Sequence, residues 1–335
     1  MKSRIKIIFV FFICIFLLSS CGIISPKESN KKKIVTTQYP QYQFVKAIIG
    51  GDKRLNDYYD VSLIVPPGAD SHTFDPRLSD LISIKNSDLF IYTSDLIETW
   101  VDGLEVSKYT MVLDLSSDER IELIGVEEHE HEHSHEHELD PHYWVYPVYA
   151  SYMVDTIRNK MLEINPDMAS ECKDIINNNA NAYMSELLEV DEAIKEVVSH
   201  AKTKTLYFAS PFSFFYWSYY YGLDYVLTYS TCSTEVEPSL NTIIDVINKI
   251  RANDVKVIYT KELLNDSVAR MIQNQTGAEI VLLHSCHSVS ASEFGTTTFL
   301  KLMRRNVISL AKGLGVDEEF IPEFDESEGI VDVIN

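Results

Sequence analysis

Two histidines lie in loops whose surroundings suit metal ligands. His72 lies in the Pro-containing loop 66–76, directly after a predicted strand at 61–65, and His142 lies in Asp-Pro-His-Tyr-Trp at 140–144, just before a predicted helix. In open α/β sheets, ligands bind beyond the carboxyl ends of the strands. Because neutral imidazoles are common ligands of zinc, these two histidines are the first candidates for a metal site.

A second group of imidazoles lies between them. Residues 127–138 contain five histidines and six acids, a composition that cannot bury a core and is typical of a mobile loop. Imidazoles favour zinc, nickel or copper over manganese or magnesium, so Zn²⁺ is the predicted ion and Mn²⁺ is less favoured. The string His-Glu-x-x-His occurs at 129–133 and 131–135, but no amphipathic helix is predicted to present it as a metalloprotease would.

The elements that must position these residues follow an α/β pattern. Runs of β-branched and aromatic residues predict one series of strands at 33–37, 61–65, 89–92 and 111–115, and a second at 205–209, 225–229, 255–259 and 279–283. Helical periodicity occurs between them at 42–49, 78–84, 242–251, 263–273 and 299–312. Strand followed by helix, repeated, predicts two lobes, each with a parallel sheet flanked by helices.

A long helical segment separates the two series. Residues 166–200 contain no Gly and, after Pro166, no Pro, and their apolar residues recur at helical spacing. We therefore predict an N-terminal metal-binding lobe at 34–165, a linking helix at 166–200 and a C-terminal lobe at 201–335. The alternative is two shorter helices broken at 177–179, three Asn residues with weak helix propensity.

The N-terminus has the composition of an export signal. Three basic residues precede an apolar run that ends at Leu18 and is too short for a convincing membrane span, which predicts a signal peptide at 1–20. Leu18-Ser19-Ser20-Cys21-Gly22 resembles the lipobox of bacterial lipoproteins, so Cys21 is the expected lipid anchor, and 21–33 is the expected tether. The predicted location is extracytoplasmic, at the cell surface or in the periplasm, attached to the membrane through Cys21.

The charge of the chain excludes one class of partner. The formal net charge is −21, or −24 without the three positive charges of the first 20 residues. Such a chain repels nucleic acid phosphates and concentrates cations near its surface. We expect no nucleic acid partner.

Several motifs together resemble one protein family, the solute-binding lipoproteins of zinc and manganese ABC importers (cluster A-I, zinc-uptake type). The matching segments are Pro-Pro-Gly-Ala-Asp-Ser-His-Thr-Phe-Asp-Pro at 66–76, the stretch 91–104 with Glu98-Thr99-Trp100, Asp-Pro-His-Tyr-Trp at 140–144, and Ser-Thr-Glu-Val-Glu-Pro-Ser at 233–239. The resemblance covers about residues 34–313. It implies a monomer with a metal between two lobes, an ABC permease as partner, and a His-rich loop that gathers zinc.

The resemblance also implies a ligand set, from which this chain departs at one position. His72 and His142 match the two N-lobe ligands, whereas the third ligand position falls on Pro211, which has no donor atom. The fourth position, which follows Thr-Gly-Ala and a strand, corresponds to His284. The predicted metal ligands are therefore His72, His142 and His284.

The sequence does not identify the fourth ligand of a tetrahedral site. The candidates are water, Glu235, His287 and Cys286. Cys286 and Cys232 both follow predicted strands, and a disulfide between them is favoured over a thiolate ligand because export permits disulfides.

Two functions compete at this point. The first is a membrane-tethered receptor that captures zinc between its lobes and delivers it to an ABC permease, without enzymatic activity. The alternative is a zinc hydrolase with three His ligands and a metal-bound water. That alternative lacks a convincing general base, because Asp70 and Asp75 fit turn positions of a Pro-rich loop. A further role in adhesion is neither supported nor excluded.

Overall fold

The structure is a computed structural model that describes residues 31–126, 138–229, 237–264 and 266–324. The predicted signal peptide, Cys21 and nearly all of the tether lie outside these ranges. So do residues 127–137 of the His-rich segment, Cys232 and Glu235. Lys32–Asn335 forms one compact unit, which contains both sheets described below.

The first sheet belongs to the N-terminal lobe. Its strands are β1 (Lys32–Thr36), β2 (Tyr59–Leu63), β3 (Leu89–Tyr92) and β4 (Met111–Asp114). They are parallel and lie in the order β2-β1-β3-β4. All four carboxyl ends therefore lie at one edge, where the loop that carries His72 begins. A separate antiparallel ribbon, β5 (Gly125–Val126) with β6 (Glu138–Leu139), flanks the His-rich segment.

The second sheet repeats this arrangement in the C-terminal lobe. Its strands are β7 (Thr205–Phe208), β8 (Asp224–Leu227), β9 (Val257–Thr260) and β10 (Glu279–Leu282), all parallel and in the order β10-β9-β7-β8. Every strand of the two main sheets lies within two residues of its predicted bounds. The predicted class, two α/β lobes with parallel sheets, is confirmed.

Helices cover the sheets and join the lobes. Among the described residues they are α1 (Tyr39–Ile49), α2 (Leu78–Lys85), α3 (Pro147–Glu163), α4 (Ser170–Ser199), α5 (Phe215–Tyr221), α6 (Leu240–Ala252), α7 (Ser267–Thr276) and α8 (Phe299–Gly313). α1 has Pro in its first turn, and α6 is capped by Ser239, whose side chain accepts a hydrogen bond from Thr242 N.

The linking helix α4 is continuous over 30 residues, about 45 Å at 1.5 Å per residue. Its buried residues recur every three or four positions, which gives it one apolar face towards α1, α3 and α8. The alternative break at 177–179 is wrong. Asn179 faces α1, where its side-chain amide donates to the carbonyl oxygen of Ile48 at 3.1 Å. This tertiary hydrogen bond offsets the weak helix propensity of Asn.

The largest apolar cluster of the described residues extends through both lobes. It includes Phe44 of α1, Met153 of α3, Leu187 of α4 and Leu310 of α8, all fully buried. The lobes are therefore held together by continuous packing around α4 as well as by the polypeptide chain. Within the described ranges, every helix is too short or too polar to cross a lipid bilayer.

Candidate metal centre

The loop after β2 positions His72 at the interface between the lobes. Val65 N donates to the carbonyl oxygen of Thr37, which continues the pairing of β2 with β1 beyond the strand. Asp70 then accepts a hydrogen bond from the backbone N–H of His72 at 3.0 Å, the turn expected for Asp in this loop. Gly68, at a φ of 86°, donates its N–H to the carbonyl oxygen of Val289 in the C-terminal lobe at 2.8 Å.

His142 is held rigidly by its neighbour Asp140. The carboxylate oxygen Oδ1 of Asp140 accepts hydrogen bonds from the backbone N–H of His142, at 3.1 Å, and from its ring Nδ1. Because a carboxylate only accepts, the ring proton lies on Nδ1 and the lone pair on Nε2. His142 is fully buried, and its Nε2 has no hydrogen-bond partner among the described residues. This nitrogen is ready to bind a metal.

The C-terminal lobe contributes His287. Its Nδ1 lies 2.8 Å from Ser285 Oγ, and its Nε2 is buried without a hydrogen-bond partner in the described part of the chain. His287 follows β10 by five residues, in the loop that crosses to the N-terminal lobe. Tyr39 N of α1 donates to the carbonyl oxygen of His287 at 3.4 Å.

The three imidazoles form one cluster. A ring nitrogen from each of His72, His142 and His287 lies within 4.8 Å of the other two. The ring centroids are 5.4 Å apart for His72 and His142, 4.9 Å for His72 and His287, and 4.6 Å for His142 and His287. Two nitrogens bound to one tetrahedral zinc at about 2.0–2.1 Å lie about 3.4 Å apart. Small side-chain rotations would bring these nitrogens to that distance.

Burial keeps the rings of His72 and His287 neutral. Desolvation, with smaller contributions from His142 and Lys261, lowers the pKa of His72 to about 2. Desolvation also lowers the pKa of His287 well below its usual value, with contributions from His142, His72 and Lys261. A metal binds the neutral imidazole, so both rings are in the ligand form at neutral pH without having to release a proton.

An indole packs against the cluster and connects the lobes. The ring of Trp144 lies 5.3 Å from that of His142 and 4.8 Å from that of His287. Its Nε1–H donates to the carbonyl oxygen of Ser285 at 2.9 Å. Trp144 is fully buried, so it excludes water from one side of the imidazoles and fixes the C-terminal loop against the N-terminal lobe.

His284, one of the three predicted ligands, does not join this cluster. Its Nδ1 accepts the backbone N–H of Cys286 at 2.9 Å, and its side chain lines a different cavity, with Glu293 and Arg305. The third imidazole is His287, which the sequence left as one of four candidates for the open place. The reason is the turn between them, where Cys286 has a φ of 61° and lies in the left-handed region.

Among the described residues Cys286 is a free, fully buried cysteine. Its Sγ lies 3.5 Å from the carbonyl oxygen of His284 and 3.9 Å from Met303 Sδ, so it contacts the core of the C-terminal lobe rather than the cluster. The predicted partner Cys232 and the candidate ligand Glu235 lie outside the described residues. Pro211, onto which the resemblance placed a ligand position, is buried after β7.

Sequence reasoning found the loops of His72 and His142 but missed the residues that support the cluster. Trp144 belongs to the motif at 140–144, so its place in the chain already indicated that it lies near His142. Glu262 and Ser285 gave no such indication, because their roles depend on which loops meet in the folded chain. Glu262 accepts hydrogen bonds from the backbone N–H and the hydroxyl of Ser285, the residue beside which His287 is held.

Two sheets joined by a long helix, with three imidazoles from both lobes at their interface, define a two-lobed metal-binding protein of the solute-receptor type. The family model described as "Zinc-uptake complex component A periplasmic" matches residues 34–313. The chain belongs to this family. It is 30% identical over 320 residues to the high-affinity zinc uptake system protein ZnuA of Bacillus subtilis, which covers 92% of this chain and 97% of that protein.

Other relatives agree with this assignment. The zinc-binding lipoprotein AdcA of Streptococcus pneumoniae (strain R6) is 29% identical over 314 residues, 89% of this chain but only 60% of AdcA. The solved Zn(II)-bound ZnuA-like domain of S. pneumoniae AdcA has a TM-score of 0.68 at 26% identity, covering 85% of this chain and 99% of that domain. The laminin-binding protein Lmb of Streptococcus agalactiae has a TM-score of 0.72 at 26% identity, with 85% and 99% covered.

Proposed function

We propose that this protein captures Zn²⁺ between its lobes through His72, His142 and His287 and delivers it to the permease of an ABC importer. The observation that carries the proposal is the convergence of three buried ring nitrogens from two lobes within 4.8 Å. Three imidazoles with an open fourth position suit zinc, and imidazole ligands favour zinc over manganese. The names of the relatives, zinc uptake and zinc-binding proteins, support the same cargo.

A route for the ion lies beside His287. A cavity of about 300 Å³ is lined by residues of both lobes, among them Asp70, Thr73, Lys261, Glu262 and Ser288. It reaches the cluster from the loops after β2 and β9. Water or an exogenous ligand entering here would complete the fourth position, because Cys286 faces away from the cluster and His287 already serves as the third ligand.

Delivery requires the interface between the lobes to open so that the ion can leave. The hydrogen bonds of Gly68, Tyr39 and Trp144 to the loop 285–289 hold the interface closed, and α4 limits how far the lobes separate. We propose that docking on the permease breaks these bonds and withdraws His287, which leaves only the two N-terminal ligands.

The location follows from the N-terminus and the family. We propose that the chain is exported, lipidated at Cys21 and held outside the cytoplasm as a monomer, with residues 21–33 as its tether. The net charge of −24 after export would concentrate cations around it. The hydrolase alternative is not carried forward, because Asp70 serves the turn at His72 and the relatives carry the names of transport proteins.

Zinc titration tests the proposal. The five histidines of 127–138 are first replaced by Gln, so that they do not bind zinc. In this background the chain with His72, His142 and His287 intact should bind one Zn²⁺, and His142→Asn should weaken that binding by more than about a hundredfold. The side-chain amide N–H of Asn can donate to Asp140 in place of Nδ1–H, so the substitution removes only the ligand nitrogen. Equal zinc affinity in the two proteins would refute the site, whereas zinc-dependent ester or peptide hydrolysis would revive the enzyme alternative.

A further inference from the structure

A connected chain of polar groups lies behind His287. Glu262, in the loop after β9, accepts the backbone N–H of Ser285 on Oε2 at 2.8 Å and the Ser285 hydroxyl on Oε1. Ser285 Oγ lies 2.8 Å from His287 Nδ1. Ser285 is fully buried, and the Glu262 side chain is only 8% exposed, so water does not compete freely for these bonds.

The direction of these bonds fixes the proton on His287. A carboxylate accepts hydrogen bonds and a serine hydroxyl has a single hydrogen, which Ser285 gives to Glu262. The Ser285 oxygen must then accept from His287, so the ring proton lies on Nδ1. The lone pair lies on Nε2, the nitrogen without a hydrogen-bond partner among the described residues, which is the one available to the cluster.

The N-terminal lobe achieves the same result by direct contact. Asp140 bonds His142 Nδ1 without an intermediary, whereas Glu262 reaches His287 through one hydroxyl. Outer groups of this kind fix the tautomer and orientation of a ligating histidine. In both lobes a carboxylate therefore fixes the ring proton on Nδ1, directly at His142 and through one hydroxyl at His287.

We infer that Glu262 is a positioning residue of the metal centre, which through Ser285 holds His287 in the tautomer that presents Nε2 to zinc. The inference rests on the proposed function. In Glu262→Gln the amide can donate to Ser285 Oγ, which frees the hydroxyl to donate to His287 Nδ1. That rearrangement moves the ring proton to Nε2 and blocks the ligand atom.

The experiment uses the full chain in the background without loop histidines and compares Glu262→Gln, Ser285→Ala and the double variant. We expect Glu262→Gln to weaken Zn²⁺ binding by about tenfold to a hundredfold, measured by competition with a chromophoric chelator. In the Ser285→Ala background Glu262→Gln should lower zinc affinity by less than about threefold, because the hydroxyl that connects Glu262 to His287 is already absent. Long-range ¹H–¹⁵N spectra of metal-free protein with labelled histidine should show that Glu262→Gln moves the His287 proton.

Two results would overturn the inference. One is an unchanged affinity and tautomer in Glu262→Gln. The other is an equal loss in the Ser285→Ala background, which would mean that Glu262 acts by holding the loop backbone. The variant His287→Asn distinguishes a failure of this inference from a failure of the proposed function. If His287→Asn leaves zinc affinity intact, the proposed metal site is wrong. If it abolishes binding while Glu262→Gln has no effect, only the role of Glu262 is wrong.

Discussion

His284 and His287 lie three residues apart on one buried loop, yet only His287 meets the imidazoles of the N-terminal lobe. Their hydrogen bonds run in opposite directions. The backbone N–H of Cys286 donates to His284 Nδ1, so the neutral ring carries its proton on Nε2 and offers that atom as a donor. His287 Nδ1 donates to Ser285, so its Nε2 keeps a lone pair.

In the proposed site, this difference separates a structural histidine from a ligand. Both rings are buried, both follow β10, and both belong to the same residue type, so none of these features distinguishes them. What distinguishes them is the polar group at Nδ1 and the direction in which the ring leaves the loop. His284 stabilises the turn that His287 uses to reach the other lobe.

The largest expected effect comes from removing the ligand atom of His287. In the background without loop histidines, His287→Asn should weaken Zn²⁺ binding by more than about a hundredfold, since loss of a ligand should exceed the loss of a supporting residue. Competition titration against a chelator measures this. A loss below tenfold would show that His287 is not a ligand and would remove the basis of the comparison.

A smaller effect is expected at the indole that fixes the His287 loop. Trp144→Phe leaves the buried carbonyl of Ser285 without its donor and should lower the free energy of unfolding by about 2 kcal/mol, measured by denaturant titration. It should also weaken zinc binding.

Trp217→Phe is the matched control for Trp144→Phe. It removes a similar buried bond, from Trp217 Nε1 to the carbonyl oxygen of Val145, but Trp217 packs against Phe214 and Tyr221 instead of the imidazoles. A comparable loss of stability with unchanged zinc affinity is expected. Equal loss of zinc affinity in both variants would mean that Trp144 has no special role beside His287.

The pH dependence of stability gives the next effect. Burial holds the pKa of His72 at about 2 and that of His287 well below the usual 6.5, so the unfolded chain binds protons that the folded chain does not. The free energy of unfolding of metal-free protein should therefore fall as the pH is lowered, by about 1.4 kcal/mol per ring between pH 7.5 and 5.5. Urea titrations should show a shallower fall in His287→Asn, and an identical slope would contradict the burial of that ring.

The smallest effect is expected at His284. Asn at this position keeps an acceptor for Cys286 N–H while removing Nε2, so zinc affinity should change by less than about threefold. The same titration as for His287→Asn gives a direct comparison between the two loop histidines. A hundredfold loss in His284→Asn would restore the ligand set predicted from the sequence.

Local patterns were sufficient to predict most of the fold. The strands on either side of His72, the helix after His142 and the continuous face of α4 follow from the spacing of apolar residues, which depends on neighbours in the chain. The direction of the Cys286 side chain could not be predicted in this way, because it lies in a loop without repeating geometry. That direction depends on the left-handed φ of Cys286, at a residue that is not Gly.

The amino-acid sequence by itself determined two α/β lobes, a long linking helix and two histidines at loop positions suited to a metal, because periodicity and strand ends are local properties. Only the tertiary structure decided which C-terminal imidazole completes the cluster, which nitrogen of each ring carries the proton, and where the thiol of Cys286 points. The choices at His287 depend on Glu262 and Trp144, which are distant from His287 in the chain and contact its loop only in the folded protein.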